Sequence, residues 1–263
     1  MSQEIPSRIP LTFYGIIGSD SAALEACQAF LGEPVLEAKY SGHSETGKNV
    51  RFYEARTEKG IRRVALKMSS DPTYVPIEIL ALGLARRLGA NTYRAAPLVD
   101  GLLMERVEGV FSLNKMELAA EWAYEIGTQM PYLLLLGAFD WGRCNNFMIS
   151  GGENRTPRKA TRIDYDSSFV GEPLPPEEEL AQEVIGCLKV PQAAIERFEA
   201  GFRDGKAQVV RNWSPGIFEY IDRFAATYSG NQPGGPAAPD LDYGAIKSNI
   251  QETLLRWGAS EIG

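Results

Sequence analysis

A run of three short strand-like segments, followed at once by a helix-like segment, constrains the fold of this 263-residue chain more than any other feature. The three segments, residues 34–40, 49–57 and 62–68, have compositions typical of strands, and glycine-containing connections separate them. Such connections predict an antiparallel meander. Pro76 then begins the helix, because proline is favoured in a first turn, and Gly89 ends it.

Helix-like and strand-like patterns continue on both sides of this run. Before it, a helix is expected after Ser19, a residue type that is favoured at the N-cap. After it, Asp100-Gly101 joins two β-like segments and predicts a hairpin. Residues 113–139 then have a helical pattern, which could hold two helices broken near Pro131.

The rest of the chain is mostly helix-like. The expected elements are two short strands at 146–150 and 160–166, then helices up to about 213, over 215–228 and over 243–257, with a Gly/Pro-rich loop at 229–240. This order predicts an α+β fold with two lobes. A sheet-containing lobe with one key helix covers residues 1–107, and a mostly helical lobe covers residues 108–263.

Charge and composition argue against several classes of protein. The chain has 27 lysine and arginine residues against 34 aspartate and glutamate residues, a net charge of −7, so we expect no nucleic-acid partner. Three scattered cysteines make neither a disulfide framework nor a metal knuckle. The single histidine, His43, argues against a two-histidine metal site and a Ser-His-Asp triad.

The sequence also lacks the patterns of membrane insertion. Its longest apolar run, near residues 132–139, is far shorter than the roughly 20 residues that a spanning helix needs. The N-terminus has no basic region followed by an apolar core, so no signal peptide is expected. A cytoplasmic protein with no integral membrane association is the expectation, and delivery to another compartment stays open.

Four segments carry side chains that together suit phosphoryl transfer. Lys67 ends the third strand-like segment, and Glu78 lies in the first turn of the following helix. Asp140 and Asn146 lie in FDWGRCNNFMI, and Asp164 follows a strand. Each residue alone fits a structural role, as a solvated charge, a first-turn acid or a turn former. Phosphoryl transfer, however, needs a fixed cation for the phosphates, oxygen ligands for Mg²⁺ and a carboxylate beside the acceptor hydroxyl.

These requirements assign a role to each side chain. Lys67, paired with Glu78, would bind the phosphates of ATP, and Asp140 would orient or deprotonate the acceptor hydroxyl. Asn146 and Asp164 would supply oxygen ligands for Mg²⁺. The glycine-rich segment SGHSETGKN contains two further candidates, Gly42 and Ser44, in a loop whose backbone N–H groups could cover phosphates.

The same segments resemble the motifs of a known fold. They are VALK, which contains Lys67, the helix glutamate Glu78, the stretch from Asp140 to Asn146-Phe-Met-Ile, and Ile163–Phe169, which reads IDYDSSF. The chain resembles proteins of the protein-kinase-like fold, and within that fold the atypical branch that contains the phosphatidylinositol 3-/4-kinases and the HipA-type kinases.

This resemblance covers about residues 34–170 and implies a two-lobed kinase-like fold with ATP and Mg²⁺ as cofactors. GLLMERVEG would join the lobes, with Met104, Glu105 and Val107 lining the adenine pocket. The implied activity is transfer of a phosphoryl group to a hydroxyl acceptor.

The chain departs from the family pattern at several places. Asp140 and Asn146 are six positions apart, whereas the family usually has five. Asn145 fits the spacing and Asn146 fits the following Phe-Met-Ile, so the metal-binding asparagine stays open between them. Asp166 is a further, weaker ligand candidate. No Ala-Pro-Glu segment follows Asp164, which argues against an ordinary protein kinase with a phosphorylated activation loop.

The acceptor stays open. A protein hydroxyl is the first expectation, by analogy with HipA-type kinases, and a soluble small molecule is the alternative. The altered surroundings of Asp140 also fit a catalytically inactive binding module, and the same groups could serve AMP transfer.

Overall fold

The computed structural model describes most of the chain. The described residues are 5–44, 49–69, 71–111, 113–114, 117–118, 120–137, 147–150, 159–166, 168–169, 185–186, 189–228 and 241–259. Contacts divide the chain into two compact units. The first unit comprises Met1–Ile79, Tyr93–Arg106 and Ala226–Pro239, and the second comprises Leu80–Thr92, Val107–Ala225 and Asp240–Gly263. The predicted loop at 229–240 lies outside the described residues.

A five-stranded antiparallel sheet forms the centre of the first unit. Its strands are β1 (Val35–His43), β2 (Val50–Thr57), β3 (Gly60–Met68), β4 (Ala95–Pro97) and β5 (Gly101–Glu105), in the order β1-β2-β3-β5-β4. All neighbouring strands are antiparallel, which confirms the predicted meander and the predicted hairpin at Asp100-Gly101.

Two helices cover one face of this sheet. They are α1 (Phe13–Ile17) and α2 (Asp20–Leu31), and the Ser19 hydroxyl accepts a hydrogen bond from the N–H of Ala22, which confirms the predicted N-cap. Apolar residues of the helical segment pack against apolar residues of the strands in one buried cluster. The helical segment contributes Ile9, Phe13, Ile16, Ala23, Ala26, Cys27 and Phe30, and the sheet contributes Val35, Ala38, Tyr53, Ala55, Val64, Leu66, Ala96 and Leu103.

The helix predicted at Pro76 is α3 (Tyr74–Leu88), and it begins two residues earlier than expected. The carbonyl of Asp71 accepts from the N–H of Tyr74, and its carboxylate accepts from the N–H of Thr73, so the first turn starts there. Pro76 is tolerated because first-turn N–H groups have no partner within a helix. The boundary between the two units falls within α3, between Ile79 and Leu80.

The remaining elements are short strands and longer helices. In chain order they are β6 (Val110–Phe111), β7 (Leu113–Asn114), β8 (Glu117–Leu118), α4 (Ala123–Leu135), β9 (Phe147–Ser150), β10 (Lys159–Arg162), α5 (Ile195–Asn212), α6 (Gly216–Tyr228) and α7 (Tyr243–Arg256). The predicted strands before and after the polar loop are confirmed as β9 and β10, and the two predicted C-terminal helices as α6 and α7. The α+β class, with a small antiparallel sheet and a larger helical part, is therefore confirmed.

The prediction of helix over residues 113–139 was partly wrong. The short strands β7 and β8 pair with each other, and a 3₁₀ turn at Ala120–Trp122 precedes α4. Pro131 does not break the helix, since α4 runs through it to Leu135. Burial explains the difference, because almost every residue of α4 from Ile126 onward is buried, and this packing outweighs one lost helical hydrogen bond.

Close packing of α4 against α5 depends on glycine. A Cβ atom added at Gly201 of α5 would lie 2.1 Å from the carbonyl oxygen of Tyr124, and one at Gly205 would lie 2.4 Å from that of Thr128. No side chain larger than hydrogen fits at these two positions without moving a backbone. Among the described helices, none has the length and apolar character needed to cross a bilayer.

Candidate functional site

Lys67 projects from the interior of the sheet of the first unit. In β3 it lies opposite Val50 of β2 and Leu102 of β5, so strands on both sides fix its backbone. Its side chain is only 17% exposed. The position predicted from the VALK motif is thus a partly buried cation on a rigid strand, rather than a solvated lysine at a strand end.

Glu78 lies directly beside this lysine. It belongs to the first half of α3, its side chain is 3% exposed, and its Oε2 accepts a hydrogen bond from Lys67 Nζ at 2.8 Å. Two opposite charges at this distance attract strongly in a buried setting, but each also loses most of its hydration. The structure therefore brings together the two residues that the sequence paired.

Tyr93 also contacts the carboxylate, and no pattern in the sequence pointed to it. Its hydroxyl donates to Glu78 Oε1 at 2.9 Å, and its side chain is 3% exposed. Both oxygens of Glu78 thus accept a hydrogen bond from the first unit. Tyr93 stands in the polar stretch NTYR between α3 and β4, where a single aromatic residue forms no periodic pattern.

The segment predicted as a loop begins later than expected, because β1 extends to His43; Gly42 is therefore a strand residue, and Ser44 follows the strand directly. Gly42 has a φ angle of 145° beside a register shift in the β1–β2 pairing, and apart from Gly42 itself and its two chain neighbours, no atom of the described residues lies within 4 Å of a Cβ atom placed there. The N–H of Ser44 donates to the carbonyl of Val50 at 3.1 Å. Residues 45–48 of the predicted phosphate-covering loop lie outside the described residues, so the structure describes the base of this loop only.

The three residues predicted for the adenine pocket differ in their surroundings. Met104 is buried in β5 between Ala65 and Ala95. Glu105 is exposed and accepts from the N–H of Arg94 at 3.0 Å, while its own N–H donates to the Arg94 carbonyl. Val107 is half-buried and belongs to the second unit.

Backbone pairing also limits which groups could bind a base. The N–H of Glu105 donates to Arg94, and the N–H of Arg106 donates to the carbonyl of Arg63 at 3.1 Å. Because the sheet already uses both donors, a purine would have to be recognised by other groups of this segment.

Asp164 follows β10 in the second unit and is half-buried, as is Asp166. The carbonyl of Asp164 accepts from Nε of Arg162 at 2.6 Å, and Arg162 is completely buried, with its guanidinium 5.6 Å from the centre of the Phe147 ring. This buried arginine, which the sequence did not single out, fixes the turn that carries the predicted metal ligand.

The other predicted residues of this unit precede β9 in sequence. Asp140, Asn145 and Asn146 lie outside the described residues, and Asn146 is followed directly by Phe147. Phe147, the first residue of β9, pairs with Arg162, the last residue of β10. Asp164 therefore follows the β9–β10 hairpin at the end where β9 begins. Among the residues that the structure describes, no group of three His, Cys, Asp or Glu side chains is placed to hold a metal ion.

The sequence matches no protein-family model and no curated protein. Similar solved structures include a Helicobacter pylori proinflammatory kinase, CtkA, with a TM-score of 0.48 and 13% identity over 83% of this chain and 93% of that chain. Another is the Rio2 kinase of Chaetomium thermophilum in an ADP/Mg²⁺-phosphoaspartate complex, with a TM-score of 0.47 and 11% identity over 98% of this chain and 82% of that chain. A spectinomycin phosphotransferase, APH(9)-Ia, has a TM-score of 0.37 and 8% identity over 89% of this chain and 98% of that chain. At these scores and identities, function has to be inferred from the chain's own residues.

Proposed function

We propose that this chain is an ATP- and Mg²⁺-dependent phosphotransferase that transfers a phosphoryl group to a hydroxyl acceptor. The observation that carries the proposal is the ion pair between Lys67 and Glu78, which joins a central strand to the adjacent helix at 2.8 Å. A buried ion pair contributes little net stability, because desolvation offsets the attraction. Its presence here is therefore better explained by chemistry than by folding.

The pair suits a phosphate-binding role for geometric reasons. The Lys67 side chain is 17% exposed, so it remains partly accessible to an anionic ligand, whereas Glu78 at 3% is closed to solvent. An ammonium held by a carboxylate on a rigid strand is a positioned cation, and phosphoryl transfer depends on positioned cations. Gly42 and Ser44 at the end of β1 would support the loop that covers the phosphates.

The donor set proposed for Mg²⁺ contains only oxygen atoms, which fits a hard cation. The charge neutralisation that Mg²⁺ supplies on the phosphates would come from an ion held by Asp164 and by Asn146 or Asn145. The pairing of Phe147 with Arg162 supports this grouping, because it brings the two flanking segments to the same end of one hairpin. Asp140 would orient or deprotonate the acceptor hydroxyl.

A protein side chain is the acceptor that we propose, in a kinase of the phosphatidylinositol-kinase-like and HipA-type branch that acts in the cytoplasm. The net charge of −7 supports a soluble acceptor over a lipid headgroup on an anionic membrane. A soluble small-molecule acceptor and an inactive nucleotide-binding module are the alternatives, and the outcome of a transfer assay separates them.

The test compares ligand-induced stabilisation in matched lysine variants. With Mg·ATP at 100 times its dissociation constant, the wild type should gain about 2.7 kcal/mol of stability. Lys67→Ala and Asp164→Ala should lose this gain, whereas Lys39→Ala, which removes an exposed lysine from β1 of the same sheet, should keep it. No stabilisation of the wild type by any nucleotide would refute the proposal.

Transfer itself is measured with γ-labelled ATP and protein acceptors, with Asp140→Ala as the inactive control. Label transferred by the wild type and lost in Asp140→Ala supports a protein kinase. Binding of Mg·ATP with no transfer to protein or to small hydroxyl compounds would instead identify an inactive binding module.

A further inference from the structure

The hydroxyl of Tyr93 is the donor that the geometry adds to the predicted lysine–glutamate pair. It lies 2.9 Å from Glu78 Oε1, while Lys67 Nζ lies 2.8 Å from Glu78 Oε2. The tyrosine and the glutamate are each 3% exposed, so the hydrogen bond is made away from bulk water. The carboxylate is thus held from two sides by residues of one unit.

A buried carboxylate requires this kind of support. An ionised carboxylate has two acceptor oxygens, and a buried oxygen without a donor loses the full free energy of its hydration. A phenol hydroxyl that donates to a carboxylate favours the ionised form, which is the form that pairs with lysine. The hydrogen bond from Tyr93 therefore restrains the orientation of Glu78.

The backbone on which Tyr93 stands is fixed by its neighbour. The N–H of Arg94 donates to the Glu105 carboxylate at 3.0 Å, and the Arg94 carbonyl accepts from the N–H of Glu105 at 2.8 Å. The Arg94 guanidinium also donates to the Phe30 carbonyl at 2.6 Å and lies over the Phe30 ring, 4.8 Å from its centre. Residues of β5 and α2 thus hold the backbone next to Tyr93 in place.

We propose that Tyr93 is a positioning residue that holds Glu78 in the orientation that pairs with Lys67, so that this pair is assembled before any nucleotide binds. The proposal rests on the proposed function, because the paired lysine is the one assigned to the phosphates. It adds a hydrogen bond that keeps Glu78, and through it Lys67, in position before a nucleotide binds. The sequence of this chain lacks the Ala-Pro-Glu segment of ordinary protein kinases.

A double-mutant cycle on Mg·ADP affinity tests whether Tyr93 acts through Glu78. Tyr93→Phe removes only the hydroxyl, and it should weaken binding about tenfold, since hydrogen bonds to charged groups are strong. In the Glu78→Gln background the same change should have little further effect, because the charged acceptor is already gone. Equal losses in both backgrounds, or no loss in the first, would overturn the proposal.

Tyr132→Phe is the matched control. Tyr132 is 1% exposed, and its buried hydroxyl has no hydrogen-bond partner among the residues that the structure describes. The same chemical change at this position should leave the affinity for Mg·ADP unaltered. A loss as large as that of Tyr93→Phe would assign the effect to a general loss of a buried hydroxyl and would contradict a positioning role.

Two further measurements keep the test independent of the variants and of the proposed function. If the wild type binds no nucleotide, the proposed function fails, and the same cycle run on urea unfolding still measures the coupling of Tyr93 to Glu78. A crystal structure of the nucleotide-free protein should have Lys67 Nζ and the Tyr93 hydroxyl on opposite oxygens of Glu78. A separated pair in those crystals would refute preassembly even if Tyr93→Phe does not fold.

Discussion

At the scale of single residues, burial decides which charges and thiols are reactive. Glu78 is 3% exposed and accepts hydrogen bonds from Lys67 and Tyr93, while the Lys67 side chain is 17% exposed. Cys27 is a contrasting case on α2, because it is 2% exposed and packs in the apolar cluster between helices and sheet. Burial raises the pKa of the Cys27 thiol to about 11, since the thiolate would lose its hydration there.

This shift predicts a specific loss of stability at alkaline pH. The unfolded chain releases the thiol proton at about pH 8.5, whereas the folded protein retains it to higher pH. The stabilisation from the buried, neutral Cys27 is therefore fully present below about pH 8.5 and is lost as the pH rises to about 11. Urea unfolding of the wild type and of Cys27→Ala should give stabilities that converge over this range. A constant difference from pH 7 to 11 would contradict the prediction.

The sequence was informative about single residues where a spacing defined them. Lys67 and Glu78 could be paired in advance, because the end of a strand and the start of the next helix are close in the chain. Glu78 lies beyond the first turn of α3, however, and not within it as predicted, because the helix begins at Tyr74. Tyr93 and Arg162 could not be selected, because their roles come from tertiary contacts with Glu78 and with the turn at Asp164. No sequence pattern indicates which residue donates a hydrogen bond to the second oxygen of a buried carboxylate.

At the scale of elements, the packing of α4 on α5 overrides local preference. Pro131 predicts a break that α4 does not have, and residues 113–118 read as helix although β7 and β8 pair there. At Pro131 the burial of α4 outweighs a proline cost of about 3 kcal/mol, whereas at residues 113–118 the local pairing of β7 with β8 takes the place of helix. The hairpin at Asp100-Gly101 was predicted correctly, because there the local turn preference agrees with the pairing of β4 and β5.

A glycine substitution tests this packing. Helix propensity alone predicts that Gly201→Ala stabilises α5, by up to about 1 kcal/mol. The new Cβ atom would lie 2.1 Å from the Tyr124 carbonyl oxygen, so we expect a loss of about 1–3 kcal/mol instead. Chemical denaturation measures the change.

Gly216→Ala is the control for that experiment. Within the described part of the chain, its added Cβ atom would meet only the Ser214 hydroxyl, at 3.6 Å, so the stability of this variant should stay at or above that of the wild type. Equal effects of the two substitutions would mean that the helices do not approach as closely as described.

At the scale of the whole molecule, the candidate site depends on residues that supply none of its groups. The resemblance in the sequence covers about residues 34–170. The apolar face of the sheet, however, is covered by α1 and α2, which precede that range. The N-terminal segment also continues the sheet at β4, because the N–H of Ile9 donates to Pro97 and the N–H of Val99 donates to Leu11. Motif spacing could not reveal this support, because it consists of ordinary apolar side chains.

A shortened chain tests the dependence. A chain that begins at residue 33 keeps every candidate site residue but exposes the apolar face that Phe13, Ala26 and Phe30 cover. We expect it to be unfolded or aggregated and to bind no nucleotide, because a sheet with one bare apolar face lacks a core. Circular dichroism and Mg·ADP titration measure both properties. A folded, nucleotide-binding product would show that the two helices are dispensable.

The interleaved segments of the two units limit how either unit could be exchanged between proteins. Each compact unit draws on three separate stretches of sequence, and the boundary at Leu80 falls inside one continuous helix. Neither unit can therefore be cut out as one uninterrupted polypeptide, swapped as a cassette or grafted by a single recombination event. Point changes and loop replacements, by contrast, alter single sites and leave the three-segment build of each unit unchanged.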